Sequence, residues 1–155
     1  MARVDFYSQV GDKLTYTCRL LRKIFSLAEG QEPLKQMVIV GSQADLTKLD
    51  HLLWSFSAEE FLPHTWIGDE AEGFTPILMS AEFIEEDFVH LPHKDVFIHL
   101  GQEFLPQIEL ITNRFERVIE IVSLEEKDLL AGRERFKKYR TMGLELVNYD
   151  QKGAA

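Results

Sequence analysis

The chain has 155 residues, and its 45% hydrophobic and 11% aromatic content can fill one sizeable core, which excludes a wholly disordered chain. The formal net charge of −9 disfavours a general nucleic-acid binder, because such a body repels phosphates. One cysteine, Cys18, excludes an internal disulfide framework and a multi-cysteine zinc site. No apolar run approaches the ~18 residues that span a bilayer, and no signal-peptide pattern opens the sequence, so we expect a cytoplasmic protein without a membrane partner.

The N-terminal third predicts a strand followed by a helix. Val4 and Phe6 flank Asp5 in a strand-like alternation. Apolar residues then recur three or four apart on one helix face that ends before Gly30, namely Leu14, Cys18, Leu21, Phe25 and Ala28. Because Cys18 lies on this face, we predict a buried core residue rather than a reactive nucleophile.

The next segment predicts a second strand and helix. Residues 37–40 form a short apolar run, which is typical of a parallel strand buried on both faces. Ser42 or Asp45 is available as the N-cap of the following helix. The inward face of that helix has Leu46, Leu49, Leu53 and Phe56, and residues 68–73 form a polar, acidic loop.

The C-terminal half continues the alternation. Its predicted elements are strands at 76–79, 95–100 and 118–122, a short helix at 105–115, a longer helix at 124–142 closed by Gly143, and a last strand at 144–149. This order predicts one three-layer α/β/α domain over residues 1–150 with a mostly parallel central sheet, resembling nucleotide-binding folds. Residues 151–155 are predicted to be a disordered tail.

The sequence contains no strong catalytic or metal-binding motif. The turn at 40–44 lacks the later glycines of a dinucleotide motif and the Gly-Lys-Ser/Thr of a phosphate loop. His90 and His93 follow three acidic residues at 85–87, but Pro92 breaks any helix that would align the two rings, which favours a solvated loop. We therefore expect no catalytic residue, metal or cofactor. A nucleotide-binding enzyme that uses the crevice at the carboxyl ends of the strands is the alternative.

Two surface features suggest binding. Leu53 belongs to the apolar helix face and Trp54 points about 100° away from it, while Phe61 and Trp66 lie in a non-helical connection beside Pro63. Displayed aromatic rings are typical of protein interfaces. The alternative is that these rings fold back on the core.

The second feature is basic. Residues 133–140 carry a net charge of +4, which leaves −13 on the rest of the chain. Helical spacing places one leucine, one phenylalanine and three cations on one face: Leu129, Arg133, Phe136, Lys137 and Arg140. Such a face suits an acidic peptide with an apolar anchor. A solvated helix face and direct binding of single-stranded nucleic acid are the alternatives.

These residues belong to a pattern that resembles the chi-subunit family of bacterial DNA polymerase III. The resemblance extends from Phe6-Tyr7 to Tyr149 and depends on the order and spacing of short motifs. They are Phe6-Tyr7, Cys18-Arg19-Leu20, Lys23, Leu49-Asp50, Leu53-Trp54, Phe61-Leu62-Pro63-His64, Gly68, Pro76-Ile77, Arg117-Val118-Ile119-Glu120, Arg133-Glu134-Arg135, Tyr139-Arg140 and Gly143.

The resemblance implies a non-catalytic adaptor of the clamp loader. The family links the psi subunit to the acidic C-terminal tail of single-stranded-DNA-binding protein, a tail that ends in phenylalanine with a free carboxylate. Contact with DNA is then only indirect. Some members use the psi-binding aromatic positions for a helicase-like alternative partner.

Position by position, the resemblance assigns roles to seven residues. Arg133 and Lys137 would hold carboxylates of the tail, Arg140 would extend the basic strip, and Val122 and Phe136 would flank the phenylalanine ring. Trp54 and Phe61 match the aromatic positions used for psi. This sequence has Leu129 where the family can place a lysine, and the resemblance leaves open whether Lys127 replaces it.

Overall fold

The computed structural model describes residues 1–28, 36–55, 62–68, 75–84, 86 and 95–152. Within them are seven strands and four helices. The strands are β1 (Val4–Val10), β2 (Met37–Val40), β3 (His64–Trp66), β4 (Ile77–Ser80), β5 (Val96–His99), β6 (Arg117–Ser123) and β7 (Leu146–Asp150). The helices are α1 (Lys13–Ala28), α2 (Gln43–Ser55), α3 (Ile108–Arg114) and α4 (Glu126–Thr141). None of the described helices is both long and apolar enough to cross a membrane.

The strands form one sheet in the order β3-β4-β2-β5-β6-β1-β7. All six neighbouring pairs are parallel, which confirms the predicted type of sheet. Strand β1 lies between β6 and β7, with Val4 opposite both Val118 and Leu146. The N-terminal strand is therefore held between the last two strands of the chain.

Apolar side chains cover both faces of the sheet. Along β2, Met37 and Ile39 pack into the core that contains α1 and α2, whereas Val38 and Val40 pack into the core on the side of α3 and α4. Buried strands of this kind need helices on both faces. The three-layer α/β/α architecture predicted from the sequence is confirmed.

Cys18 is fully buried in the core beneath α1. Burial, followed by the charge of Asp12, raises the pKa of the Cys18 thiol to about 11. The thiolate is the nucleophilic form of cysteine, and this environment disfavours it. The prediction that Cys18 is a core residue is confirmed.

Two predicted helix ends have the expected chemistry. The Asp45 N–H donates to Ser42 Oγ at 3.1 Å, so Ser42 rather than Asp45 provides the cap of α2. Gly143 has φ +84° just beyond α4, and its N–H donates to the Arg140 carbonyl while the Leu144 N–H donates to the Tyr139 carbonyl. These two bonds form a Schellman motif, which favours glycine because of the left-handed backbone.

The structure adds one strand that the sequence did not predict. Strand β3 occupies part of the segment predicted as a connection, and it pairs with β4 along its whole length. Three residues directly after Pro63 are too few for a recognisable alternation. Trp66, at the end of β3, is half-buried and packs against the core of α1 and α2. For this ring the core-packing alternative is correct.

Several predictions lie outside the described residues. They concern Gly30, Phe56, Phe61, residues 69–73 of the acidic loop, His90, His93 and residues 153–155. Of the predicted tail, the structure describes Gln151, whose N–H donates to the Ser8 carbonyl at 2.9 Å, and Lys152.

Candidate functional site

A groove runs between α4 and the adjoining ends of β1, β6 and β7, and we call it the basic groove. Its volume is about 340 Å³. The five residues assigned to tail binding, Val122, Arg133, Phe136, Lys137 and Arg140, all line it. The structure therefore brings together one residue of β6 and four residues of α4 that were selected from the sequence.

Close contact between α4 and β6 sets the floor of the basic groove. A Cβ atom on Gly132 would lie only 2.7 Å from both Cγ atoms of Val122. Glycine at this position therefore lets α4 approach the strand. The contact places Val122 between the helix and the sheet, at the base of the groove.

The wall of the basic groove contains aromatic rings in fixed contact. Phe136 packs edge-to-face on Phe6 of β1, with the ring centroids 5.1 Å apart. The Arg140 guanidinium carbon lies 5.6 Å from the centroid of the Phe136 ring, which is within the range of a cation–π contact. A cation and an apolar surface are thus presented side by side.

The cations of the basic groove are available to a ligand. Arg133 and Arg140 are exposed, and neither has an ion-pair partner within the part of the chain that the structure describes. Lys137 is exposed and its Nζ lies 4.0 Å from Glu134 Oε1, a weak surface pair. Leu129 also lines the groove, whereas Lys127 does not.

A second groove lies on the other side of α4, and we call it the flanking groove. Its volume is about 540 Å³. Gln102 and Phe104 form one wall, and α4 provides the other through Ala131, Glu134, Arg135, Lys137, Lys138 and Thr141. Lys137 lines both grooves and lies on the ridge between them. Helical spacing along α4 does not predict this groove, because Gln102 and Phe104 come from a distant connection.

A buried ionic network anchors α4 to the sheet. Glu120 Oε1 lies 2.6 Å from His99 Nδ1 and 3.3 Å from Arg135 Nε. The Tyr139 hydroxyl donates to Glu120 Oε2 at 2.8 Å. Arg135 Nη1 donates to the Gln102 carbonyl, also at 2.8 Å. One of the five basic residues in the charged segment 133–140 is therefore buried and paired rather than displayed.

The network holds Glu120 in its ionised form. Burial alone would raise the pKa of Glu120, but the charges of His99 and Arg135 and the hydrogen bonds from His99 and Tyr139 hold the pKa below its usual value. Burial and the neighbouring Glu120 carboxylate raise the pKa of Tyr139, which stays protonated. We did not predict this network from the sequence, although an acidic residue inside the apolar run 118–122 is a usable signal.

The predicted aromatic surface lies elsewhere on the molecule. Trp54, at the end of α2, is 62% exposed, and its ring packs edge-to-face on His64, with the centroids 5.4 Å apart. The preceding residue, Leu53, is buried, as the helix pattern predicted. Because α2 and α4 cover opposite faces of the sheet, Trp54 and the basic groove face in different directions.

The crevice at the carboxyl ends of the strands, which a nucleotide-binding enzyme would use, is present and is acidic. A cavity of about 650 Å³ lies at the carboxyl ends of β2 and β5, where the strand order reverses. Asp45, Glu82, Glu103 and Glu125 line it. Lys13 lines it too, but its Nζ is held by Asp128 Oδ1 at 2.9 Å and by the Leu100 carbonyl at 2.7 Å. These carboxylates disfavour phosphate groups. Among the described residues, no three metal-ligating side chains cluster in a way that would hold a metal ion.

Fold and grooves together define a parallel α/β domain that presents a basic, partly apolar binding surface. The family model described as DNA polymerase III chi subunit, HolC, matches residues 1–147. The chain belongs to this family, whose members are accessory subunits in DNA replication.

Individual relatives agree with the family assignment. A DNA polymerase III subunit chi from Pseudomonas aeruginosa is 29% identical over 156 residues, which cover 96% of each chain. The subunit chi of Haemophilus influenzae is 29% identical over 72% of each chain. That of Escherichia coli is 29% identical over 64% of this chain and 62% of its own. The family predicted from the sequence is confirmed.

Proposed function

We propose that the chain is a non-catalytic adaptor of the DNA polymerase III clamp loader, acting in the cytoplasm. It links the psi subunit to the acidic C-terminal tail of single-stranded-DNA-binding protein. One observation carries the proposal: the five residues that the family resemblance assigns to the tail line a single groove.

The chemistry of the basic groove fits a peptide that ends in phenylalanine. Arg133 and Lys137 are exposed donors for carboxylates, and charge-assisted hydrogen bonds of this type are stronger than neutral ones. Val122 and Phe136 provide apolar contact for the terminal ring. Arg140 extends the basic strip of the groove.

The position of Trp54 supports a bridge between two partners. Trp54 and Phe61 are the residues we assign to the psi interface, and Trp54 is an exposed aromatic side chain, a type that interfaces favour. Since α2 and α4 lie on opposite faces of the sheet, psi and the tail can bind at the same time. A helicase-like alternative partner would compete with psi for Trp54.

Tail binding is tested by titrating a fluorescent peptide that ends in Asp-Ile-Pro-Phe. Replacing Arg133 by alanine should weaken binding by about 1.5–3 kcal/mol, which is tenfold or more, because a hydrogen bond to a charged group is lost. The matched control is Lys127→Ala, which removes an equal charge from the same helix outside the groove. The assignment would be contradicted if the affinity stayed the same both for Arg133→Ala and for a peptide with a C-terminal amide.

The psi interface is tested by co-purification with a tagged psi subunit. The Trp54→Ala variant should recover much less psi, because the exposed ring would otherwise be buried in the interface. Leu130→Ala is the control, since Leu130 is an exposed apolar residue on the opposite face. Equal recovery with both variants would argue against Trp54.

The nucleotide-binding alternative has its own test. A nucleotide that binds the folded chain raises its melting temperature. We expect no stabilisation by nucleoside mono-, di- or triphosphates, because five carboxylates line the cavity at the switch point and its lysine, Lys13, is paired with one of them, Asp128. A reproducible stabilisation would favour the alternative.

A further inference from the structure

We propose that the flanking groove is a second subsite for the same acidic tail, which binds residues upstream of the segment held in the basic groove. The inference rests on the proposed function and adds a binding surface to it. Its occupant is an extended, carboxylate-bearing stretch of peptide.

Continuity between the two grooves is the first argument. Lys137 lines both and stands on the ridge that separates them. Helix α4 is about 10 Å across and an extended peptide advances about 3.3 Å per residue. Roughly three or four residues therefore cross the ridge, so a peptide anchored by its terminal phenylalanine reaches the flanking groove about four residues upstream.

The second argument is charge. Two exposed cations, Lys137 and Lys138, line the flanking groove against the single carboxylate of Glu134. The third basic residue of the lining, Arg135, is paired with the buried Glu120. The rest of the protein is strongly acidic, so this local excess of positive charge selects an acidic ligand. The carboxylates of the upstream segment meet that requirement.

The third argument is that the cations are held in place. Lys138 Nζ lies 3.7 Å from the centroid of the Phe104 ring, and Phe104 packs on Tyr139 with the ring centroids 5.6 Å apart. Arg135 is 2% exposed, and its Nη2 has no hydrogen-bond partner among the described residues. A preorganised ammonium group lowers the entropy that a ligand loses on binding, and an unsatisfied donor favours a ligand acceptor.

The inference is tested with two peptides, the tetrapeptide Asp-Ile-Pro-Phe and a nine-residue peptide that adds five upstream acidic residues. The longer peptide should bind more tightly to the native protein. Lys138→Ala should weaken the longer peptide about two- to fivefold, as expected for an exposed ion pair, and leave the tetrapeptide unchanged. Lys127→Ala should change neither. A nine-residue peptide with the upstream carboxylates replaced by amides should bind like the tetrapeptide.

The outcomes separate the inference from the proposed function. If the tetrapeptide binds in the basic groove but extension adds no affinity, or Lys138→Ala weakens both peptides equally, the flanking groove is not a tail subsite. If a single-stranded oligonucleotide binds instead and Lys138→Ala weakens that complex, the groove has a different ligand and the inference is wrong. If neither peptide binds, the proposed function fails and the inference fails with it.

Discussion

At the scale of single residues, Glu120 determines how α4 is held. Its Oε1 atom contacts His99 and Arg135, and its Oε2 atom accepts a hydrogen bond from Tyr139. Glu120 and these three side chains are all buried. A buried pair that loses one partner leaves an uncompensated charge, which is strongly destabilising. The grooves on both sides of α4 therefore depend on a carboxylate that no ligand reaches.

Replacing Glu120 by glutamine should destabilise the fold by about 3–5 kcal/mol, because Arg135 loses its counter-charge. The folded-state pKa of Glu120 lies below its usual value of 4.5. The stability that its ionisation contributes is thus present above pH 4.5 and is lost as the pH falls through the folded-state pKa. Urea unfolding from pH 3 to pH 7 should show a shallower pH dependence for Glu120→Gln than for the native chain.

Glu134→Gln is the control for this prediction, since the Glu134 side chain is 78% exposed. It should leave both the stability and its pH dependence nearly unchanged. Parallel pH profiles for the native chain and Glu120→Gln would mean that other carboxylates account for the acid sensitivity.

At the scale of elements, the contact between α4 and β6 determines the shape of the basic groove. Val122 and Gly132 touch with no room for another methyl group. Valine is branched at Cβ and has little rotamer freedom to give way. The helix must therefore move if the contact is enlarged, and the floor of the groove moves with it.

Gly132→Ala should destabilise the fold by about 1–3 kcal/mol through overpacking. The higher helix propensity of alanine should offset up to about 1 kcal/mol of this loss. Gly132→Ala should also weaken the tail peptide. The double variant Gly132→Ala/Val122→Ala should lose less unfolding free energy than the two single variants lose together, because the second change removes the clashing methyl groups. Additive effects in urea unfolding would show that the two residues do not compete for space.

The features that we predicted from the sequence depend on local spacing of residues, and those that we missed depend on contacts between distant segments. Helix α4 and the groove face of Arg133, Phe136, Lys137 and Arg140 follow from helical spacing, which is a local property. The flanking groove and the pairing of Arg135 with Glu120 depend on which distant segments meet, and helical spacing does not encode this. Strand β3 was missed because three residues carry too little periodicity.

At the scale of the whole molecule, the charge is divided between one helix and the remainder. The exposed cations of α4 are Lys127, Arg133, Lys137, Lys138 and Arg140, on a chain of net charge −9. An acidic peptide that approaches from another side is repelled, and one that approaches α4 is attracted. The charge pattern thus favours one orientation of approach.

Salt should therefore weaken tail binding. Raising sodium chloride from about 50 mM to about 500 mM shortens the Debye length to a few ångström and should lower the affinity of the nine-residue peptide more than that of the tetrapeptide. Fluorescence anisotropy at several salt concentrations gives the two slopes. Affinities independent of salt would mean that apolar contact alone carries the binding.

Among the described strands, β1 pairs only with β6 and β7, more than 100 residues along the chain. During synthesis on the ribosome, the first strand must therefore wait until nearly the whole polypeptide has emerged, whereas β2, β4 and β5 can pair earlier. The basic groove takes Phe6 from β1 and Asn148 from β7 as well as side chains of α4. A nascent chain thus lacks a complete basic groove until its translation is almost finished.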